Sequence, residues 1–214
     1  MSPDFLSQDL FLIMPVQTPR TQIRIAGIIL AAGGATRFGG AKQLALFQGK
    51  PLVVGIVEKA LECGLEPVLL ITGAYHDEIE ILLRNYPITI HYNADWPSGI
   101  STSIRMGLAN LPVDVGGAII LMSDQPRLPA VLIRELLAQF DAGFDFIVPQ
   151  SNGQLRNPVL VNREVFARVM SLRGDAGART LFASAKVKLV QWADEHVFDD
   201  VDQRADLDDL TNLI

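Results

Sequence analysis

Ile28-Ile29-Leu30-Ala31-Ala32-Gly33-Gly34-Ala35-Thr36-Arg37-Phe38-Gly39-Gly40-Ala41-Lys42 is a short aliphatic run that opens directly into glycines carrying two cations. Ile28, Ile29 and Leu30 are continuous and β-prone, the pattern of a strand buried on both faces of a parallel sheet. The strand is expected to end at Ala31. Beyond it, Gly33, Gly34, Gly39 and Gly40 can take positive φ and leave their N–H groups uncovered, so that the loop can wrap a phosphate chain with backbone donors. Arg37 can grip phosphate oxygens bidentately, while Lys42 places a compact charge where negative charge builds up. The Gly-Lys-Ser/Thr ending of a Walker loop and the G-x-G-x-x-G dinucleotide spacing are both missing. The loop suits a triphosphate; read alone, it also suits a glycine-rich turn with two solvated cations.

The 214 residues fit one α/β domain with a sizeable core, expected over 23–214. A formal net charge of -6 argues against nucleic acid or an anionic membrane as partner. The single cysteine, Cys63, excludes an intramolecular disulfide and a Cys-based zinc site and fits a reducing cytoplasm, with a helical core position expected for it. Residues 1–22 read as a loose N-terminal extension. Their apolar patch Leu10–Met14 follows Asp4 and Asp9, is too short to span a bilayer, and is separated from the first strand by Pro15 and Pro19.

Working outward, Pro51 is expected to open a helix that runs to Cys63 and stops at Gly64. Val68–Ile71 reads as a second strand, ending in Thr72-Gly73 without the acid that a dinucleotide fold aims at a ribose. A helix over 74–85, a strand over 88–92, and the loop Asn93–Ser103 leading into a helix follow. That loop is dense in small donors and acceptors, suited either to reading a base or, through Ser101 or Thr102, to capping the helix. Gly117–Met122 is the strongest central strand, and it runs straight into Ser123-Asp124-Gln125-Pro126. Asp124, at the tip of a buried strand, is the first choice of ligand for Mg²⁺, which takes one or two carboxylates and fills its shell with phosphate and water; capping a turn is the other reading. A helix over 129–140, a strand over 144–149, an antiparallel excursion through Asn152–Val161, a helix over 164–172 and a strand at Val187–Gln191 complete the expected elements. In Gly174-Asp175-Ala176-Gly177-Ala178-Arg179, gripping a second phosphate-bearing substrate and capping by Asp175 stand equally open. His76, His91 and His196 have no metal-ligand spacing. One carboxylate of the acidic stretch Asp199–Asp209 is a candidate to return to the sheet tip beside Asp124.

Leu30–Lys42 resembles the L-A-A-G-x-S-x-R-x-G-x-x-K signature of the MobA-like nucleotidyltransferases, and the order of the other motifs resembles the molybdenum-cofactor cytidylyltransferases among them. Those motifs are Asn93–Ser103 with Arg105 and Gly107, Ser123–Pro126, Gly174–Arg179, and Asp200-Val201-Asp202, which is similar to a D-I-D-T ending. The chain departs from the pattern at three places: Ala35 stands for the signature serine, Asn157 for a histidine before proline, and Gln203 for the threonine.

The resemblance implies a three-layer α/β/α, Rossmann-like fold with a mostly parallel sheet. It also implies transfer of CMP from CTP to molybdopterin with release of pyrophosphate. Leu30, Ala31, Ala32, Gly33 and Gly34 would then line the nucleotide, Arg37 would hold its outer phosphates, and Lys42 would stabilise charge at the α-phosphate. Asn93, Gly99, Ser101 and Ser103 are the implied base contacts, and Asp124 with Asp202 the implied Mg²⁺ ligands, Asp200 being the other candidate for the second. Arg37, Lys42 and Asp124 carry the catalysis, and a molybdoenzyme or its chaperone is the implied protein partner. Asn157 keeps open another phosphorylated acceptor, such as a sugar or alcohol phosphate. Ala35 keeps open a binding protein without turnover.

Overall fold

The computed structural model describes residues 23–212, so the reading of residues 1–22 as a loose extension lies outside the described residues. In order, the elements are β1 (Ile25–Ala31), β2 (Leu46–Phe47), β3 (Lys50–Pro51), α1 (Leu52–Glu62), β4 (Val68–Thr72), α2 (His76–Leu83), β5 (Thr89–Tyr92) and α3 (Ile100–Ala109). Then follow β6 (Gly117–Met122), α4 (Ala130–Ala138), β7 (Phe146–Ser151), β8 (Gln154–Leu155), β9 (Val159–Asn162), α5 (Phe166–Met170), β10 (Val187–Gln191) and α6 (Arg204–Asn212).

Eight strands form one sheet in the order β10-β7-β9-β6-β1-β4-β5, with β8 paired to β7. β1 runs parallel to β4 and β6, β4 parallel to β5, and β7 parallel to β10. β9 is antiparallel to both β6 and β7, so the expected excursion does not hang off an edge but is inserted into the middle of the sheet.

The unbroken burial of β1 follows from its side chains pointing alternately to two cores. Ile25, Ile29 and Ala31 join the core beneath α1, α2 and α4, whereas Ala26, Ile28 and Leu30 join the core beneath α3 and α5. β6 divides the same way, Ile119 and Leu121 against Ala118 and Ile120. The result is the three-layer arrangement with a mostly parallel sheet expected from the sequence.

Several helix ends depart from expectation. α1 starts at Leu52, because Pro51 is held in the β2–β3 hairpin through its pairing with Leu46. Its stop is as expected: Gly64 takes φ 73°, and the N–H groups of Gly64 and Leu65 return to the carbonyls of Leu61 and Ala60. Neither Ser101 nor Thr102 caps α3; the flanking residue is Gly99 (φ 105°), and the Thr102 hydroxyl donates to its carbonyl at 2.8 Å. Asp175 caps nothing either, since the turn at Ala178–Ser184 begins after Gly177. Cys63 sits at the end of α1, where burial pushes its thiol above the ordinary range and Sγ donates to the Ala130 carbonyl, an inert structural setting.

Gly107 shows how tightly α3 lies on β1. A Cβ there would meet Ile28 Cγ2 at 2.5 Å, and Ile28 is fully buried and stiff at χ1. Gly→Ala in a helix gains about 1 kcal/mol of propensity, but overpacking a closed core costs about 1–3 kcal/mol. We expect Gly107→Ala to lower the urea midpoint, and Gly107→Ala/Ile28→Ala to be less destabilised than the sum of its single changes. Additive free energies in that cycle would show the contact to be absent.

Candidate active site

The register of β1 against β6 pairs Leu30 with Met122, so the loops beyond them leave the same edge of the sheet side by side. The Ser123 N–H donates to the Leu30 carbonyl at 3.2 Å and holds the two tips together. Lys42 returns on a short 3₁₀ turn, and its Nζ lies 2.7 Å from Asp124 Oδ2. Both side chains are largely shielded, at 13% and 16% exposure, so this is not a solvated surface pair. Gln43, 2% exposed, is the splint of the loop: its amide donates to the carbonyls of Ala31 at 3.1 Å and Gly33 at 2.8 Å. Nothing in the sequence pattern singles it out.

The loop backbone corrects one expectation. Gly39 has positive φ (76°), but Gly33 and Gly34 do not, and the left-handed residue near them is Ala35 (φ 46°). That conformation disfavours a side chain by about 1–2 kcal/mol, and it is held by the N–H groups of Phe38 and Gly39, which both donate to the Ala35 carbonyl. Gly34 is needed for space instead. A Cβ at Gly34 would lie 2.8 Å from the Trp96 ring, and one at Gly73 would meet the same ring at 2.7 Å. Trp96 is thus wedged between two glycines.

A cavity of roughly 370 Å³ opens at these tips, within the roughly 300–1,000 Å³ range of small-molecule sites. Of the residues expected to bind nucleotide, Leu30, Ala31, Ala32, Gly33, Lys42, Gly99 and Ser103 line it, and so does Asp124, the expected metal ligand. Gly34 lies against Trp96, which is itself part of the wall. Asn93 and Ser101 are buried and are not among the lining residues. The Asn93 amide donates to the hydroxyls of Thr102 and Ser103 at 2.8 and 2.9 Å, setting the start of α3 from behind. Gln43, Trp96, Pro97, Ser123 and Asp175 line the cavity without having been assigned to it from the sequence. Gln43 is buried between half-buried Lys42 and Leu44, and Asn93 between exposed Tyr92 and Ala94, so burial of the flanking residues gives no signal for either role. Asp175 arrives because the Ser101 N–H bonds to the Gly174 carbonyl, a contact between distant loops.

Arg37 and Asp202 stand outside the lining, on the solvent side. The Arg37 guanidinium is 3.2 Å from Asp202 Oδ2, and Lys42 Nζ is 3.6 Å from Oδ1, so Asp202 does return to the sheet tip. Asp200 returns with it. Burial, then the charge of Asp124, pushes its carboxyl up to about 6, with Asp202 adding to the rise and Gln125 and Lys42 opposing it. Asp124 Oδ1 is buried with no hydrogen-bond partner. Hard carboxylate oxygens short of positive charge suit a hard divalent cation. Among the described residues no three His, Cys, Asp or Glu side chains converge on one point, so such an ion would need oxygens from its substrate as well. His76 instead meets the Thr72 hydroxyl at 2.8 Å.

Residues 27–191 match the family model for the MobA-like NTP transferase domain. The purine catabolism protein PucB of Bacillus subtilis (strain 168) is 26% identical over 195 residues, 86% of this chain and 94% of PucB. A probable molybdenum cofactor guanylyltransferase of Bacillus cereus (strain Q1) is 26% identical over 179 residues, 79% of this chain and 84% of that protein. Among solved structures, Rv0371c of Mycobacterium tuberculosis H37Rv superposes with a TM-score of 0.79 at 22% identity, covering 90% of this chain and all of that one. Its complex with manganese gives a TM-score of 0.76 at 21% identity, over 89% of this chain and all of that one.

If Gln43 is the splint of the loop, Gln43→Met should fill its space yet take the amide donor from the carbonyls of buried Ala31 and solvent-reached Gly33. A buried acceptor left unpaired costs about 1–3 kcal/mol, so the expected outcome is a loss of stability in denaturant titration together with weaker nucleotide binding by calorimetry. Unchanged binding would mean that the loop keeps its shape without these bonds.

Proposed function

The chain belongs to the MobA-like NTP transferase family and is a nucleotidyltransferase, and from that premise we propose that it transfers CMP from CTP to the phosphate of molybdopterin. In this reading an acceptor phosphate oxygen attacks the α-phosphorus in line, the bond from that phosphorus to the β-phosphate oxygen breaks, and pyrophosphate leaves. The acceptor is already ionised at neutral pH, so no general base is required; positioning and charge neutralisation supply the rate. This agrees with a cavity whose lining, among the described residues, includes no histidine or thiol.

The observation that carries the proposal is the shielded Lys42–Asp124 pair at the floor of a cavity bounded by the glycine loop. Lys42 would neutralise charge developing at the α-phosphate, and Arg37 with the loop N–H groups would hold the β- and γ-phosphates. Asp124 and Asp202 would hold Mg²⁺, with Asp200 the nearby alternative to Asp202, and the bound ion would screen the phosphate oxygens from an anionic acceptor. Leu30–Gly34 and Gly99 would cradle the nucleoside, and Ser103 would meet the base directly. Asn93 and Ser101 would act from behind the wall. The cytoplasm, and a molybdoenzyme or its chaperone as recipient, belong to the same reading; no described helix is long and apolar enough to cross a membrane.

Asn157 favours a second reading, in which the phosphorylated acceptor is not molybdopterin, because asparagine cannot exchange a proton as the histidine of the cytidylyltransferase pattern can. Pyrophosphate release from CTP, GTP, ATP and UTP with Mg²⁺, with and without molybdopterin, separates the two. Release with CTP and molybdopterin alone is the expected outcome. Release with GTP would assign guanylyl transfer, the activity in the name of the Bacillus cereus relative, and nucleotide binding without release would send the search to sugar and alcohol phosphates. Asp124→Asn and Lys42→Met should each lower kcat about 10²–10³-fold, with KM for the nucleotide changing far less for Lys42→Met. An unchanged kcat in either variant would remove that residue from the chemistry.

A further inference from the structure

Arg37 and Lys42, the two cations of the glycine loop, both lie within ion-pair reach of carboxylates. A third cation is at the same loop. Arg204, the first residue of α6, stacks its guanidinium over the Phe38 ring at 5.1 Å from the centroid. One of its terminal nitrogens lies 4.0 Å from where a Cβ on Gly40 would be. Among the described residues no carboxylate lies within ion-pair distance of it.

Its position is fixed by the chain around it. The Asp206 carboxylate accepts from the N–H groups of Asp202 and Gln203, at 2.7 Å each, and locks the turn into α6. The Val201 N–H donates to the Asp124 carbonyl at 2.9 Å, tying that turn to the tip of β6. Val201 and Leu210 are buried in one cluster with Phe38 and Leu52. α6 is therefore anchored on the loop, and an aromatic stack holds a planar five-donor cation beside Gly39 and Gly40, where no side chain stands in its way. The negative charge of a nucleotide is carried by its phosphates, and they are what a cation at this lip would recognise.

We propose that Arg204 is a phosphate-binding residue that grips the β- and γ-phosphates of the nucleotide, and after transfer the pyrophosphate product. The inference rests on the triphosphate reading of the glycine loop and is independent of the base and of the acceptor. A purely structural arginine would serve by stacking its stem and guanidinium on Phe38; a binding one must discriminate by the number of phosphates.

The experiment compares wild type, Arg204→Met, which keeps an apolar stem against Phe38, and Arg204→Lys, which keeps the charge. Calorimetry with Mg²⁺ measures CTP against CMP, GTP against GMP, and pyrophosphate alone, with thermal melts as the check on folding. Losing one charge-assisted contact should weaken triphosphate and pyrophosphate binding by roughly tenfold or more in Arg204→Met. Monophosphate binding should stay within about twofold, and Arg204→Lys should recover part of the loss. Equal weakening of tri- and monophosphates, or no weakening of either, would overturn the assignment. Wild-type protein that binds triphosphates no tighter than monophosphates would instead overturn the triphosphate reading of the loop, and this inference with it.

Discussion

The contact between Lys42 Nζ and Asp124 Oδ2 sets the conditions for everything around it. Two charges shielded from water to this degree are stable only as a pair, and removing one partner from such a pair typically costs about 3–5 kcal/mol. Lys42 must therefore be delivered to the tip of β6 with little tolerance. The register of β1 on β6 places the tips side by side, and the Gln43 amide straps the intervening loop to the end of β1. The 3₁₀ turn then turns the lysine inward. The pair is satisfied on one side only, since Asp124 Oδ1 has no partner. The fold thus supports the cost of an incomplete polar site at the one edge where a parallel sheet collects its loops.

Charge balance extends the same constraint outward. Asp124, Asp200 and Asp202 gather near two cations, and the Asp200 carboxyl is pushed up to about 6, first by loss of hydration and then by the charge of Asp124. Arg37, mostly exposed, answers Asp202, while Lys42 is divided between Asp202 and Asp124. If a phosphate chain draws on Arg37 and Lys42, as proposed above, these carboxylates lose their cations. Anion and cation binding at such a site are linked, each raising the affinity of the other by the same factor.

The sequence reveals most where one physical rule dominates. β1 and β6 are wholly apolar because both of their faces are covered, whereas a strand with one wet face would alternate apolar with polar residues. The glycine loop and the aspartate at a strand tip are legible for the same reason. What could not be read depends on contacts between segments far apart in the chain. Gly34 looks like a conformational glycine, yet its role is to admit Trp96, sixty-two positions away, and the strained backbone belongs to Ala35 instead. Asn93 and Ser101 sit in the right loop but behind its wall, and a one-dimensional pattern cannot tell the front of a loop from its back. The β9 strand reads as a short apolar run with nothing to show that it enters between β6 and β7. Pro51 carries a helix-start signal that the two-residue β2–β3 pairing overrides.

The C-terminal segment closes the site that the N-terminal strand opens. Phe38 and Leu52 reach their buried state only with Val201 and Leu210 against them, and the Asp124 carbonyl finds its donor in Val201. These contacts span from about 75 to about 170 positions of sequence, the kind whose loop-closure entropy is met late and only if the remainder of the fold rewards it. Phe38 packs the glycine loop against Val201 and Leu210, so α6 supports the loop from one side while Gln43 and Trp96 hold it from the other. A site assembled from both ends of the domain exists only when the whole sheet is formed. For a protein meant to hold a reactive triphosphate, that arrangement means partly folded chains lack the complete set of charges that would engage it.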